Sequence, residues 1–120
     1  MAQRVFTMTF QVTGTLAADH EFTFKAPFDM QLIHVSMSNT SANAGTLDIG
    51  LSTDTDGWKD GATFGVSKAC TELASFSDFD GAVADSQFPT ADDGDVVHVI
   101  IKDHASHMQD PCVVLTFTEG

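Results

Sequence analysis

The chain has 120 residues, 42% of them hydrophobic, and this predicts one folded domain that spans residues 1–120. Seventeen Asp and Glu stand against five Lys and Arg, and the formal net charge of −12 argues against partners such as nucleic acid or an anionic membrane. No apolar stretch approaches the roughly 20 residues of a membrane-spanning helix. The first residues also lack the pattern of a secretory signal, so we expect synthesis in a cytoplasm.

Alternating apolar and polar residues predict strands in the first half of the chain. In the third of these strands, Ile33, Val35 and Met37 are expected on one face. Leu32 and His34 are then expected on the other face. The predicted strands cover residues 5–12, 22–25, 30–38 and 47–51.

The second half of the chain contains two further strands, at residues 96–101 and 113–118. The first of these is apolar on both faces, as expected of a central strand in a sandwich. Residues 52–61, with the sequence STDTDGWKDG, are predicted to form an acidic loop. Residues 62–87 leave two interpretations open. The spacing of Val66, Cys70, Leu73 and Phe76 suits a short helix, whereas the surrounding Gly, Ser and Asp suit irregular structure.

These elements amount to six to eight short strands without the alternation of strands and helices that marks a parallel sheet. The fold class predicted is therefore all-β, an antiparallel β-sandwich of the jelly-roll or Greek-key type. Two cysteines, Cys70 and Cys112, are too few for a disulfide scaffold. They are interpreted as free thiols, with a single bridge as the alternative.

The acidic loop contains the most suggestive local pattern, with Asp54, Asp56 and Asp60 around a glycine. Three carboxylates at this spacing would suit Ca²⁺, which prefers oxygen ligands. The loop departs from an EF-hand because Trp58 occupies a ligand position and the late Glu is missing. The alternative is a turn in which Asp side chains cap backbone N–H groups. No cofactor is therefore expected, with calcium as the one candidate.

Trp58 itself allows three interpretations, as a platform for a sugar ring, an anchor at a protein interface, or a lid over the core. The histidines His104 and His107 are spaced for zinc, with Asp103 and Asp110 nearby, but no Cys or third His lies beside them. His34 and His98 lie in strands and are interpreted as hydrogen-bonded histidines of the core or of an interface, with a pH-sensitive contact as the alternative. None of the common nucleophile, phosphate-loop or zinc-helix patterns occurs, so we expect no enzymatic activity.

Four segments carry a resemblance to a known family: FTFKAPFDMQLIHVSMS, TLDIGLSTDTDGW, GDVVHVIIKD and VVLTFTEG. In strand layout and turn placement the chain resembles the capsid decoration proteins of tailed bacteriophages, also called cement or head auxiliary proteins. The resemblance implies a virion structural protein on the outside of the phage head, made in the host cytoplasm. It also implies a homotrimer that stabilises the shell by bridging subunits of the major capsid protein. The family has no shared catalytic residues.

Three residues are candidates for partner binding: Phe6, Phe10 and Trp58. The Phe-rich first strand begins almost at the N-terminus, where it would pair with a strand of a neighbouring molecule. A competing hypothesis is a carbohydrate-binding jelly roll on a virion surface, a tail or a head fibre. In that hypothesis Trp58 and the nearby aspartates would hold a sugar, with calcium assisting.

Overall fold

Nine strands and one short 3₁₀ helix form the regular structure in residues 4–80 and 87–120, the part of the chain that the computed structural model describes. The first four strands are β1 (Val5–Gln11), β2 (His20–Lys25), β3 (Met30–Ser38) and β4 (Thr46–Leu51). They are followed by β5 (Asp54–Thr63), β6 (Thr71–Leu73), the 3₁₀ helix Phe76–Asp78, β7 (Thr90–Ala91), β8 (Val96–Lys102) and β9 (Cys112–Glu119).

The strands form two antiparallel sheets, so the predicted β-sandwich is confirmed. The larger sheet has the order β1-β9-β3-β6, with β7 also pairing with β3, and the smaller has the order β2-β8-β4-β5. The first strands of the chain pair with the last ones in a nested order. The four pairs are β1 with β9, β2 with β8, β3 with β6 and β4 with β5. This nesting of four antiparallel pairs over two sheets is the jelly-roll arrangement.

The core lies between the sheets and is built from alternate residues of their strands. Val97, Val99 and Ile101 on β8 are fully buried and face this core. The order of the smaller sheet also places β8 between β2 and β4, as predicted for a central strand.

The predicted faces of β3 are partly wrong. The pairing of β3 with β9 shifts between Leu32 and His34, which marks a β-bulge. Because a bulge inserts one residue, the side chains before it point to the opposite face from the one that strict alternation predicts. Leu32 therefore joins Val35 and Met37 in the core, and Ile33 is only half-buried.

The predicted loop at residues 52–61 is also wrong, because most of it belongs to β5. The strand pairs with β4 through two register irregularities. At one of them the chain passes so close to Gly50 that a Cβ there would lie 2.1 Å from the backbone oxygen of Asp54. A glycine at position 50 permits this approach, which a side chain would block. The strand brings Trp58 and Ala62 into the core.

The helix considered for residues 62–87 is absent from the described part of that segment, which holds β6 and the 3₁₀ helix. Residues 81–86 lie outside the described residues. Both cysteines are free, Cys70 exposed and Cys112 half-buried, so the interpretation as free thiols is confirmed and the single bridge is not formed. None of the helices in residues 4–80 and 87–120 is long and apolar enough to cross a membrane.

Candidate functional site

Phe6 and Phe10, two of the predicted partner contacts, lie on the inner face of β1. The ring of Phe6 stacks on Phe117 with centroids 5.4 Å apart and meets Phe28 edge-on at 5.5 Å. The ring of Phe10 lies 5.2 Å from that of Phe22 in β2. Both rings thus close one side of the sandwich. Their role in partner binding stays a prediction. Because the rings pack inside the molecule, a partner would contact the backbone of β1 and not the rings.

Trp58 lies on β5 and is 7% exposed, within the core. The placement agrees with the lid interpretation, because a platform for a sugar needs an open ring face. Trp58 lines a small cleft of about 230 Å³ together with Leu51, Phe88 and Pro89. Asp80 also borders this cleft, and its carboxylate accepts a hydrogen bond from the backbone N–H of Asp60 at 2.9 Å.

The carboxylates of Asp48, Asp56 and Asp60, here called the acidic cluster, have oxygens within 4.8 Å of one another. The sequence pattern proposed Asp56 and Asp60 with Asp54, but the fold brings in Asp48 from the neighbouring strand instead. Asp48 was missed because its position in the alternation of β4 marks it only as a polar residue between two buried ones. Its side chain is 4% exposed.

Two contacts already hold the carboxylate of Asp48. One oxygen accepts a hydrogen bond from the backbone N–H of Gly61 at 2.8 Å, and the other lies 2.8 Å from Nζ of Lys102. The hydrogen bond that Lys102 donates to Asp48, together with the attraction between their charges, raises the pKa of Lys102. Lys102 therefore neutralises part of the negative charge that would otherwise attract a cation.

Asp56 is a member of the acidic cluster whose pKa is shifted. Its pKa is raised, first by a hydrogen bond shared with the Asp54 carboxyl and then by partial desolvation. The negative charges of Asp60, Asp54 and Asp48 act in the same direction. Three carboxylates supply only part of the six to eight oxygen ligands that Ca²⁺ takes, so the acidic cluster alone does not complete a calcium site.

The histidines make separate local contacts. His107 Nδ1 lies 2.5 Å from Oδ2 of Asp103, and His104 Nδ1 accepts a hydrogen bond from the backbone N–H of Ser106. Within residues 4–80 and 87–120, neither ring belongs to a group of three or more His, Cys, Asp or Glu ligand atoms close enough together to hold a metal ion. In the strands, His34 pairs with Glu72 at 2.7 Å, and His98 bridges Glu21 and Ser52. Both histidines are hydrogen-bonded as expected, but neither lies in the core, since their side chains are 35% and 18% exposed.

The outer face of the larger sheet differs from the rest of this acidic molecule and was not recognised from the sequence. Among the strand residues that the register places on this face, the one carboxylate is that of Glu72, which is paired with His34. The sequence does show this feature in the alternation of β1 and β9, where half of the outward positions are threonines and the others are uncharged. We call this surface the neutral face. The strand register places on it, side by side, Thr7, Thr9, Gln31, Ser36, Val114 and Thr116.

No family model and no curated protein matches the sequence. Among solved structures, the chain is similar to one in the "Cyanophage Pam1 capsid asymmetric unit", with a TM-score of 0.59 and 15% identity. The match covers 98% of this chain and 85% of that one. A chain from the structure of infectious bursal disease virus, Gx strain, is 12% identical with a TM-score of 0.38, covering 99% of this chain and 33% of that one. The cyanophage match shows a shared fold, whereas the second is too distant to carry an argument.

Proposed function

We propose that this protein is a virion structural protein, a decoration or cement protein on the outer surface of a phage head. The observation that carries this proposal is the similarity in fold to a chain of the cyanophage capsid, over 98% of this chain and 85% of that one. The resemblance of the sequence to phage decoration proteins supports it independently. Jelly rolls are also recurrent in viral capsids.

The distribution of charge supports a binding role for the neutral face. A chain with a net charge of −12 repels other copies in solution, which favours solubility before assembly. Contact with a shell requires a surface where few charges lose their water. The neutral face meets that requirement because its side chains are mostly threonine, serine and valine. We therefore place the contact with the major capsid protein on the neutral face.

The proposed action is bridging, without any chemical transformation. One molecule, or a trimer as the resemblance implies, would touch neighbouring capsid subunits and raise the energy needed to separate them. Weak contacts suffice for this, because simultaneous engagement raises the effective concentration of each. The carbohydrate-binding alternative rested on an exposed Trp58. Since that ring lies in the core, we do not propose a second function.

The proposal is tested with phage heads assembled without this protein. Purified protein is added to them, and binding is measured by co-sedimentation. Release of DNA on heating or osmotic shock is then compared with and without the protein. We expect saturable binding and later release, with density for the protein on the outer surface in a particle reconstruction. Heads that fail to bind it, or that are equally robust without it, would refute the proposal.

The neutral face is tested by a matched pair of substitutions. Thr116→Glu places a carboxylate in the middle of that face, and Thr23→Glu places one on the outer face of the smaller sheet, opposite His98. Because Thr116 is half-buried on the central strand β9 and Thr23 is exposed on the edge strand β2, urea denaturation first establishes that both variants are folded. We expect Thr116→Glu to abolish binding to the heads and Thr23→Glu to preserve it. Equal binding by both variants would remove the neutral face as the contact.

A further inference from the structure

The four sheet edges of the sandwich differ in how well they are protected against pairing with a strand of another molecule. β6 and β7 are three and two residues long, and β5 is interrupted by two register irregularities. β2 carries Glu21 and Lys25 on its outer side. Short length, bulges and charges are the devices by which proteins prevent pairing at an edge. β1 has none of them, because its seven residues are uncharged and pair with β9 in an unbroken register.

The hydrogen bonds of β1 show which of its backbone groups face outward. The N–H of Val12 donates to the backbone oxygen of Pro111, and the oxygen of Arg4 accepts from the N–H of Glu119. In an antiparallel pair, alternate residues bond to the partner strand and the residues between them point away. The even-numbered residues of β1 therefore bond to β9. The outward backbone groups belong to Val5, Thr7, Thr9 and Gln11.

We propose that β1 pairs with β1 of a second copy of this chain, antiparallel and around a two-fold axis at Met8. This register sets Thr7 opposite Thr9 and Val5 opposite Gln11, each pairing occurring twice because of the symmetry. Every one of these positions has outward backbone groups, so each pair exchanges two hydrogen bonds. The larger sheets of two molecules thereby become one continuous sheet.

The side-chain pairs that this register creates are favourable on both faces of the sheet. On the inner side, Phe6 of one copy stands opposite Phe10 of the other, an aromatic pair of the kind that stabilises adjacent strands. On the outer side the threonines Thr7 and Thr9 meet, and Thr–Thr pairs are likewise favourable. Arg4 stands opposite Val12 at each end, so the register opposes no like charges.

Charge favours a second copy at this edge and not at the others. Two molecules of net charge −12 repel one another, and contact through β5 would add the carboxylates of Asp54 and Asp56 to that repulsion. Contact through β1 keeps the charged groups away from the junction. The remaining long-range repulsion is screened over about 8 Å at physiological ionic strength. Pairing through β1 therefore becomes tighter as salt is added, unlike an interface held by ion pairs.

The inference does not rest on the proposed function, because it concerns the purified full-length chain alone. Sedimentation velocity is recorded from micromolar to millimolar protein, at low and at high sodium chloride. We expect a monomer–dimer equilibrium that tightens with salt. Thr9→Pro removes an outward N–H and spares the bonds to β9, so it is expected to weaken dimerisation roughly tenfold or more. Thr9→Val keeps that N–H and should dimerise like the original chain.

A charge exchange tests the register itself. T7D/T9D and T7K/T9K each place like charges opposite one another across the two-fold axis, so neither variant should dimerise alone. Mixed together, they place Asp opposite Lys at both positions and should form a heterodimer. A monomeric original chain at every concentration would overturn the inference. So would an oligomer, a trimer included, that all these substitutions leave intact, or a mixture of the two variants that stays monomeric although each is folded by circular dichroism.

Discussion

Nζ of Lys102 on β8 lies 2.8 Å from Oδ2 of Asp48 on β4, and this pair joins the two central strands of the smaller sheet on their outer side. The Asp48 carboxylate is almost fully buried, whereas the Lys102 side chain remains 45% exposed. The lysine thus keeps access to water while it compensates a carboxylate that has lost its own hydration. The same carboxylate anchors the backbone of Gly61.

Truncation of Asp48 tests the structural value of this contact. Asp48→Ala removes the acceptor for the N–H of Gly61 and the partner of Lys102, and we expect the free energy of unfolding to fall by about 1–3 kcal/mol. Asp48→Asn keeps an acceptor for Gly61 and lowers the repulsion with Asp56, so it should cost clearly less. Urea denaturation measures both. Equal losses for the two variants would assign the effect to the ion pair alone.

The raised pKa of Asp56 predicts a particular dependence on pH. Because the folded chain holds this proton more tightly than the unfolded chain, the ionised group destabilises the fold above its folded-state pKa. The penalty disappears as the pH falls through that pKa. Asp56→Asn should therefore raise the urea midpoint at neutral pH, and the advantage should shrink in acid. A constant difference between the two proteins at all pH values would contradict this origin.

The same variant decides whether the acidic cluster binds calcium. Since Lys102 already compensates Asp48, we expect millimolar Ca²⁺ to leave the thermal midpoint of the original chain unchanged. A cation that bound only the folded state would raise the midpoint by mass action. A calcium-dependent rise that Asp56→Asn abolishes would therefore show that the acidic cluster is a cation site, contrary to our expectation.

The burial of Trp58, the one tryptophan of the chain, predicts its spectroscopy and its contribution to stability. Its fluorescence should be blue-shifted relative to the unfolded chain and resist quenching by iodide. Trp58→Ala should cost about 3–5 kcal/mol, as truncation of a buried aromatic ring does. Phe76, which is 40% exposed, is the matched control, and Phe76→Ala should change stability by about 0.5 kcal/mol or less. Strong quenching of the native protein would place the ring on the surface.

The two thiols should differ in reactivity. Desolvation raises the pKa of Cys112, and the nearby Cys70 adds to that shift. Since the thiolate is the reacting form, Cys112 should be alkylated more slowly than the exposed Cys70. Mass spectrometry after brief treatment with iodoacetamide should find the label on Cys70, and Cys70→Ser should be labelled slowly. Equal labelling of both cysteines in the folded chain would contradict the burial of Cys112.

Much of the fold was predictable because most strands alternate strictly between apolar and polar residues. In β9, for example, Val113, Leu115 and Phe117 are apolar at every second position, and all three are buried. Local spacing carries this information, since successive side chains of a strand point to opposite faces. The jelly-roll order of the strands agrees with one of the two topologies expected from the pattern of short strands and turns.

The candidate site could be predicted from the sequence only in part. β5 was missed because its sequence, DTDGWKDGAT, has the composition of a loop, and its pairing with β4 depends on irregularities that local propensity does not encode. The acidic cluster was only partly anticipated for the same reason. Asp48 precedes Asp56 by several residues and reaches it only because the two strands are adjacent in the sheet.

The sequence alone determined the acidic character, the strand-rich fold class and most inward faces, because these follow from composition and from the two-residue period of a strand. The tertiary structure alone decided the burial of Trp58, the displaced face of β3, the partners of Asp48 and the uncharged edge at β1. Each of these depends on which strand lies beside which, and that is settled by packing between residues far apart in the chain.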